Sequence, residues 1–231
     1  MAKYALTFDD GPGPQTAENL DILREHGTRA TFFVLGRNIE EAPWCGGDQG
    51  LARALVERAL RENHVVGNHT YSHGRPDAWR GLAADLRRCD DVLRARRRAV
   101  GMAEELPIPV RLPYGIRLLE STIGVDTGTL QIASLDPRIP VLASMGRTHV
   151  HWTSEFADWT LSPQAAPVLA ERMIVHVEQM SGLGLFAVLD LHDGGTGSAW
   201  GYDRTATTQA VKLFLTEARR REWESFTVPI S

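Results

Sequence analysis

The amino-acid sequence predicts an α/β fold, a parallel sheet with helices packed outside it. Three observations carry this. Short apolar runs alternate with longer amphipathic runs about six or seven times along the chain. Runs such as ATFFVLG (Ala30 to Gly36) are near-continuously apolar, as in strands buried on both faces. The 231 residues and 43% hydrophobic content suffice for one sizeable core. An open doubly wound sheet and a (β/α) barrel both satisfy this pattern.

The chain opens with a strand, KYALTF (Lys3 to Phe8). A helix follows within Pro14 to Gly27, with Leu20 and Leu23 on one side and Gly27 as its stop. Ala30 to Gly36 is the second strand, and Glu41 to Gly50 is a loop of turn formers. Leu51 to Asn63 is an amphipathic helix and HVVGNH (His64 to His69) a short strand and turn. Asp77 to Arg98 reads as a long helix, and the arginine-rich stretch Arg94 to Val100 suits its C-terminal dipole. IPVRLPYG (Ile108 to Gly115) reads as a strand ending in a turn. Between Leu118 and Gly146 lie two strand candidates, TLQIASLD and IPVLAS, with prolines between. RTHVHW (Arg147 to Trp152) reads as a strand. Ser162 and Pro163 open a helix to about Met180. Leu185 to Gly195 is a strand and turn, Arg204 to Glu222 a helix, and SFTVPI a last short strand. No internal repeat, low-complexity tract or linker divides residues 1–231.

The formal net charge of −4 offers no basic field for nucleic acid. Cys45 and Cys89 have no C-x-x-C spacing and read as free thiols of a reducing compartment. No basic leader with a long apolar run follows Met1, and no apolar stretch reaches the length of a membrane span. A cytoplasmic location without membrane partners is the resulting expectation.

In barrels, residues just after the strands form the functional face. Five tracts put polar residues there: Asp9-Asp10, His69 and His73 in GNHTYSH, Arg111 and Tyr114 in RLPYG, EFADW (Glu155 to Trp159), and His192-Asp193 in LDLHDGG. Two imidazoles four residues apart can face one ligand on a helix or tight turn, and neutral imidazole suits zinc. The pair needs a third ligand, which Asp9 or Asp10 can supply. The other aspartate is then free to take a proton from water, and His192 can protonate a leaving group. Taken singly, each tract has a plainer explanation: an Asx turn at Asp9-Asp10, a salt bridge at Arg111, a core aromatic at Trp159. His149 and His151 read as neighbours on one strand face, His26, His64 and His176 as partnerless, and Asp193 as holding its turn.

Together, TFDDGP, HTYSH, RLPYG, EFADW and LDLHD resemble, in order, the five motifs of the polysaccharide deacetylases, carbohydrate esterase family 4. The resemblance runs from Tyr4 to Val228. It implies a distorted (β/α) barrel of about seven parallel strands. It implies a divalent metal, usually zinc with cobalt, nickel or iron(II) as alternatives, held by Asp10, His69 and His73. It makes Asp9 the general base, oriented by Arg111, and His192 the acid, buttressed by Asp158. It gives the Tyr114 N–H to an oxyanion hole and makes Trp159 and Leu189 walls of an acetyl pocket. The implied reaction is removal of an N-acetyl group from an amino sugar such as an N-acetylglucosamine oligosaccharide, releasing acetate.

The chain departs from the family pattern in places. Glu155 stands where D-x-x-D-W has its first aspartate, and Leu112 replaces the first proline of R-P-P-Y-G. The connection at about 116–150 exceeds the family's usual length by roughly twenty residues, the size of a specificity loop. With no leader, a soluble intracellular substrate becomes the expectation, which leaves room for a C–N hydrolase of a small N-acyl metabolite or cyclic amide. A glycoside hydrolase using Asp9 and Glu155 would leave the histidines without a purpose. A non-catalytic carbohydrate-binding protein would not need the full set of ligands, base and acid.

Overall fold

The computed structural model describes residues 1–116, 136–195 and 201–228. Its centre is a parallel sheet. Strand β1 spans Lys3–Gly11, β2 Thr31–Val34, β3 Val65–Asn68, β4 Ser154–Glu155, β5 Ala187–His192 and β6 Glu224–Ser225. The order is β3-β2-β1-β5-β4, and β6 pairs with the start of β1. Two single parallel bridges, Asn68 to Val110 and Val110 to His149, continue the order beyond β3. The chain then runs five residues from His149 to β4, which pairs with β5 at the other edge. The sheet thus curls toward a barrel whose seam is held by single bridges.

Period-two alternation sorts the side chains of β1 and β5. Tyr4, Leu6, Phe8, Ala187, Leu189 and Leu191 join the main core with the helices. These helices are α1 (Thr16–Glu25), α3 (Gln49–Arg61), α4 (Leu82–Ala99), α6 (Ala166–Gly182) and α7 (Thr205–Arg220), while α2 (Gly36–Glu40) and α5 (Arg138–Ser144) are shorter. Tyr4 meets Phe214 of α7 edge to face at 5.0 Å. On the opposite side of the strands, Ala5 and Val188 pack with Val228, Val150 and Trp152 as an apolar plug. The register pairs Ala5 with Val188, Thr7 with Asp190 and Asp9 with His192. The interior is therefore layered, apolar at the bottom and increasingly polar toward the C-terminal strand ends.

Several expectations need correction. Ile108–Gly115 and Arg147–Trp152 contribute isolated bridges rather than strands, two at Val110 and one at His149. IPVLAS is not a strand but lies in helix α5. Pro140 falls in the first turn, where its missing N–H is not needed, and Leu142 packs on Leu82, Leu86, Val110 and Leu112. The long helix expected over 77–98 begins as a 3₁₀ turn, Pro76–Gly81, before α4. The described residues hold six strands, with the bridged segments at Val110 and His149 continuing the sheet. TLQIASLD and the part of the long connection before Asp136 lie outside the described residues. Cys45 and Cys89 are free thiols, as expected, and no described helix is long and apolar enough to cross a membrane.

Candidate active site

At the C-terminal ends of the strands lies a cavity of about 750 Å³. Asp9, Asp10, His69, His73, Tyr114, Trp159, Asp190 and His192 all line it. The adjacency of Asp9 and Asp10 is resolved by the backbone. Asp10 has φ 67°, and the β1–β2 register slips between Asp9 and Gly11. This bulge breaks the alternation that would send neighbouring side chains apart. Gly194 and Gly195 fold over the same point. A Cβ on Gly194 would lie 2.1 Å from the Asp10 carbonyl oxygen, and one on Gly195 2.4 Å from Asp10 Oδ2. Asp193 accepts from the Thr16 hydroxyl at 2.5 Å and so holds its turn.

The His69–His73 segment is a loop, not a helix. Thr70 and His73 have φ of 72° and 57°. The Tyr71 and Ser72 N–H groups donate to Asp85 Oδ2 of α4, and the Gly36 and Arg37 amides of α2 donate to the Thr70 and Tyr71 carbonyls. Among the eight described non-glycine residues with positive φ, Asp10, His73 and Tyr114 line the cavity, and Thr70 and Ala157 stand next to His69 and Asp158. Such conformations cost of order 1–3 kcal/mol each and persist only where surrounding structure enforces them.

Asp10 Oδ1 lies 3.1 Å from His73 Nε2 and 3.3 Å from His69 Nε2. His69 Nδ1 lies 2.8 Å from the Arg111 carbonyl oxygen, a bond in which the ring must donate, leaving Nε2 as a bare lone pair. Asp10 Oδ1 is buried and receives no hydrogen bond. Burial raises its pKa, but hydrogen bonding and charge from the two imidazoles in their protonated form outweigh it and hold the carboxyl well below its usual range. The three ligand atoms lie within 4.8 Å of one another. Bonds of about 2.0–2.2 Å to a tetrahedral ion place ligands about 3.3 Å apart, so this set fits a small divalent cation.

Asp9 Oδ1 receives a bond from Arg111 Nη1 at 3.0 Å, and the same nitrogen reaches Asp190 Oδ1 at 2.9 Å and Thr7 Oγ1 at 2.6 Å. Arg111 is fully buried, its Nε donating to the Val150 carbonyl and its plane 4.4 Å from the Phe33 ring centroid. Asp9, Asp190 and His192 form a second group with ligand atoms within 4.8 Å. The Arg111 guanidinium already supplies the cation there.

His192 Nδ1 donates to Asp158 Oδ1 at 2.8 Å, while Asp158 Oδ2 accepts from the His192 N–H and the Thr207 hydroxyl. Burial alone would lower the His192 pKa, but the Asp158 carboxylate outweighs it and pushes it up to about 10. Because this is a raised value, its stabilising contribution is complete below about 6.5 and is lost as pH rises through about 10. Asp158→Asn is expected to move the alkaline limb of kcat/KM from near 10 down toward the ordinary imidazole range, read in a pH–rate profile. An unmoved limb would remove His192 as the acid.

Residues 2–125 match the family model described as polysaccharide deacetylase. The chain belongs to the polysaccharide deacetylase family. A chitooligosaccharide deacetylase of Bradyrhizobium sp. (strain ANU 289) is 30% identical over 232 residues, covering 97% of this chain and 88% of that protein. A peptidoglycan-N-acetylglucosamine deacetylase of Bacillus cereus is 28% identical over 97% of this chain and 85% of its own. Among solved structures, the catalytic domain of a peptidoglycan N-acetylglucosamine deacetylase from Eubacterium rectale superposes with a TM-score of 0.70 at 18% identity, over 100% of this chain and 91% of that one. That likeness is one of fold.

Of the residues that the sequence pointed to in this polysaccharide deacetylase, one is misplaced. Leu189 is fully buried among the core side chains and does not line the cavity. Its neighbour Asp190 faces inward instead. Counting by twos from His192 along β5 reaches Asp190, not Leu189, so strand parity was the available signal. Trp159 lines the cavity, its ring centroid 4.6 Å from that of His192. The Tyr114 amide has no acceptor among the described residues. Sequence reasoning missed Thr7, Thr207 and Asn38, whose Nδ2 donates to the Asp10 carbonyl at 2.7 Å. It also missed Arg138, which is clasped by Asp136 and donates to the carbonyls of Pro113 and Gly115 on either side of Tyr114. His149 and His151 touch, with ring centroids 4.4 Å apart. His149 Nδ1 accepts from the Leu112 amide, and burial pushes its pKa down to about 2. His64 is not partnerless, since its Nδ1 accepts from the Ala30 N–H at 3.1 Å. His26 Nδ1 lies 2.9 Å from the Ile22 carbonyl oxygen, and His176 Nε2 lies 2.8 Å from the Thr153 hydroxyl.

Proposed function

We propose that this deacetylase removes the N-acetyl group from an amino sugar by metal-dependent hydrolysis, with Asp9 as base and His192 as acid. The observation that carries the assignment is one cavity holding three separated functions: Asp10, His69 and His73 as a cation site, Asp9 on Arg111, and His192 on Asp158. The relatives named for chitooligosaccharide and peptidoglycan deacetylation support an N-acetylglucosamine-containing substrate.

Asp10, His69 and His73 would hold the metal, and the two-imidazole, one-carboxylate donor set suits zinc. Bound there, it supplies a Lewis acid that polarises the acetyl carbonyl and acidifies water. Asp9 takes the proton of the attacking water. Arg111 fixes the Asp9 carboxylate through Oδ1, which leaves Oδ2 for that proton. The Tyr114 N–H meets the charge that develops on the carbonyl oxygen. The imidazolium of His192 gives its Nε2 proton to the amine as the C–N bond breaks, and acetate and the free amino sugar leave. Asp158 keeps that proton on His192 at neutral pH.

The test is acetate release from N-acetylglucosamine oligomers of several lengths, beside small N-acetyl compounds, with and without added zinc. Acetate without new reducing ends, abolished by a chelator and restored by metal, is the expected result. New reducing ends would instead indicate glycoside cleavage. His69→Ala is expected to reduce bound metal from about one equivalent to near none, measured by elemental analysis. Full metal retention in that variant would contradict the ligand set.

A further inference from the structure

The acetyl pocket of this site has a polar floor. On the inward face of the strands, Thr7 and Asp190 form the layer directly beneath Asp9 and His192. Asp190 is 3% exposed and lines the cavity. Its Oδ1 is occupied by Arg111, while Oδ2 has no hydrogen-bond donor among the described residues and is not among the buried side-chain atoms that lack a partner. That oxygen therefore keeps contact with the cavity. The apolar residue expected to wall the pocket, Leu189, faces the helices.

If the deacetylase reading holds, the scissile carbonyl sits within reach of both Asp9 and His192. The sugar occupies the open mouth, where Tyr114 and Glu155 are exposed. The remaining substituent of the carbonyl, the acyl tail, then points down toward the next layer. Asp190 lies two residues before His192 on the same strand face, pairs with Thr7 one layer below Asp9, and lines the same cavity as both, so a short tail directed down from the carbonyl runs toward its carboxylate.

We propose that Asp190 is a specificity-determining residue that selects short N-acyl groups carrying a hydroxyl or amino group on the carbon beyond the carbonyl, N-glycolyl being the simplest, over apolar acyl groups of the same size. The selection does not depend on protonation state. An ionised carboxylate accepts from the hydroxyl, and a protonated one donates to it. An apolar tail of equal length would instead strip water from Asp190 without replacing its hydrogen bond, the more costly of the two outcomes. Burial, and then the neighbouring Asp9, push the Asp190 pKa above its usual range.

The test compares N-glycolyl- with N-propionylglucosamine oligomers, which match in size and differ in one hydroxyl, with N-acetyl as the reference. Acyl release is measured as kcat/KM, and binding of the same compounds is measured directly by calorimetry. The wild type is expected to favour glycolyl over propionyl by about 10- to 100-fold in both readouts. Asp190→Leu should bring the ratio to about one or invert it, and Asp190→Asn, which keeps the shape and the hydrogen bonding, should retain most of it. Using the ratio within each variant removes any general effect on Arg111. Equal use of glycolyl and propionyl by the wild type, or an unchanged ratio in Asp190→Leu, overturns the proposal while acetate release still upholds the deacetylase reading. If no acyl group is released from any sugar, the deacetylase reading fails, and the binding ratio alone decides the role of Asp190.

Discussion

Arg111→Met is expected to destabilise the fold by about 3–5 kcal/mol, the range for removing one partner of a buried ion pair. For a chain of this size that corresponds to a fall in Tm of about 6–20 °C. The reason lies in what remains. Asp9 and Asp190 would face each other in the barrel interior without a counter-charge, and the Val150 carbonyl and Thr7 hydroxyl would lose a donor. Urea unfolding and calorimetry read the loss. A double variant, Arg111→Met with Asp190→Leu, should recover part of the stability, because it removes one of the stranded carboxylates along with the guanidinium. It should recover no activity, because Asp9 still lacks its orienting partner. An unchanged Tm in the single variant would mean that the two carboxylates do not depend on the guanidinium for their burial.

The second large effect falls on chemistry rather than folding. Asp9→Asn should reduce kcat by about 100- to 10,000-fold, the usual contribution of a positioned base. The asparagine oxygen still accepts from Arg111, so Tm should change little. Asp10, His69 and His73 are untouched, so bound metal should remain near one equivalent. Turnover near the wild-type level would remove Asp9 as the base, and loss of metal would mean that Asp9 belongs to the cation site.

Much of this site can be read from the chain because its residues sit at strand ends, where short apolar runs stop at polar ones. Asp9, His69 and His192 are of this kind, and each stands within a motif whose chemistry limits its neighbours. What the pattern left hidden was direction. Whether Asp10 turns into the cleft depends on a left-handed backbone and a register slip that composition does not report. Leu189 was misread because its type suited an apolar wall, whereas strand parity places Asp190 inside. The segments 108–115 and 147–152 looked like strands because each carries β-branched residues, yet they meet the sheet only through isolated bridges at Val110 and His149. IPVLAS was misread for a similar reason. A short apolar run suits a strand or a buried helix equally, and contact with α4 decides for the helix. The partners of Asp158 and Tyr114, Thr207 and Arg138, come from distant parts of the chain and carry no local signature.

Arg138 has a wider consequence. Its guanidinium fastens both carbonyls that flank Tyr114 to the start of α5. The start of α5 is therefore tethered to the backbone around Tyr114, whose N–H meets the carbonyl oxygen in the proposed mechanism. A shift of Asp136 or of α5 would tighten or slacken that amide without any group entering the cavity. Such a shift would change how fast a bound substrate reacts and leave its binding alone, which makes this distant helix a rate governor instead of a second handhold.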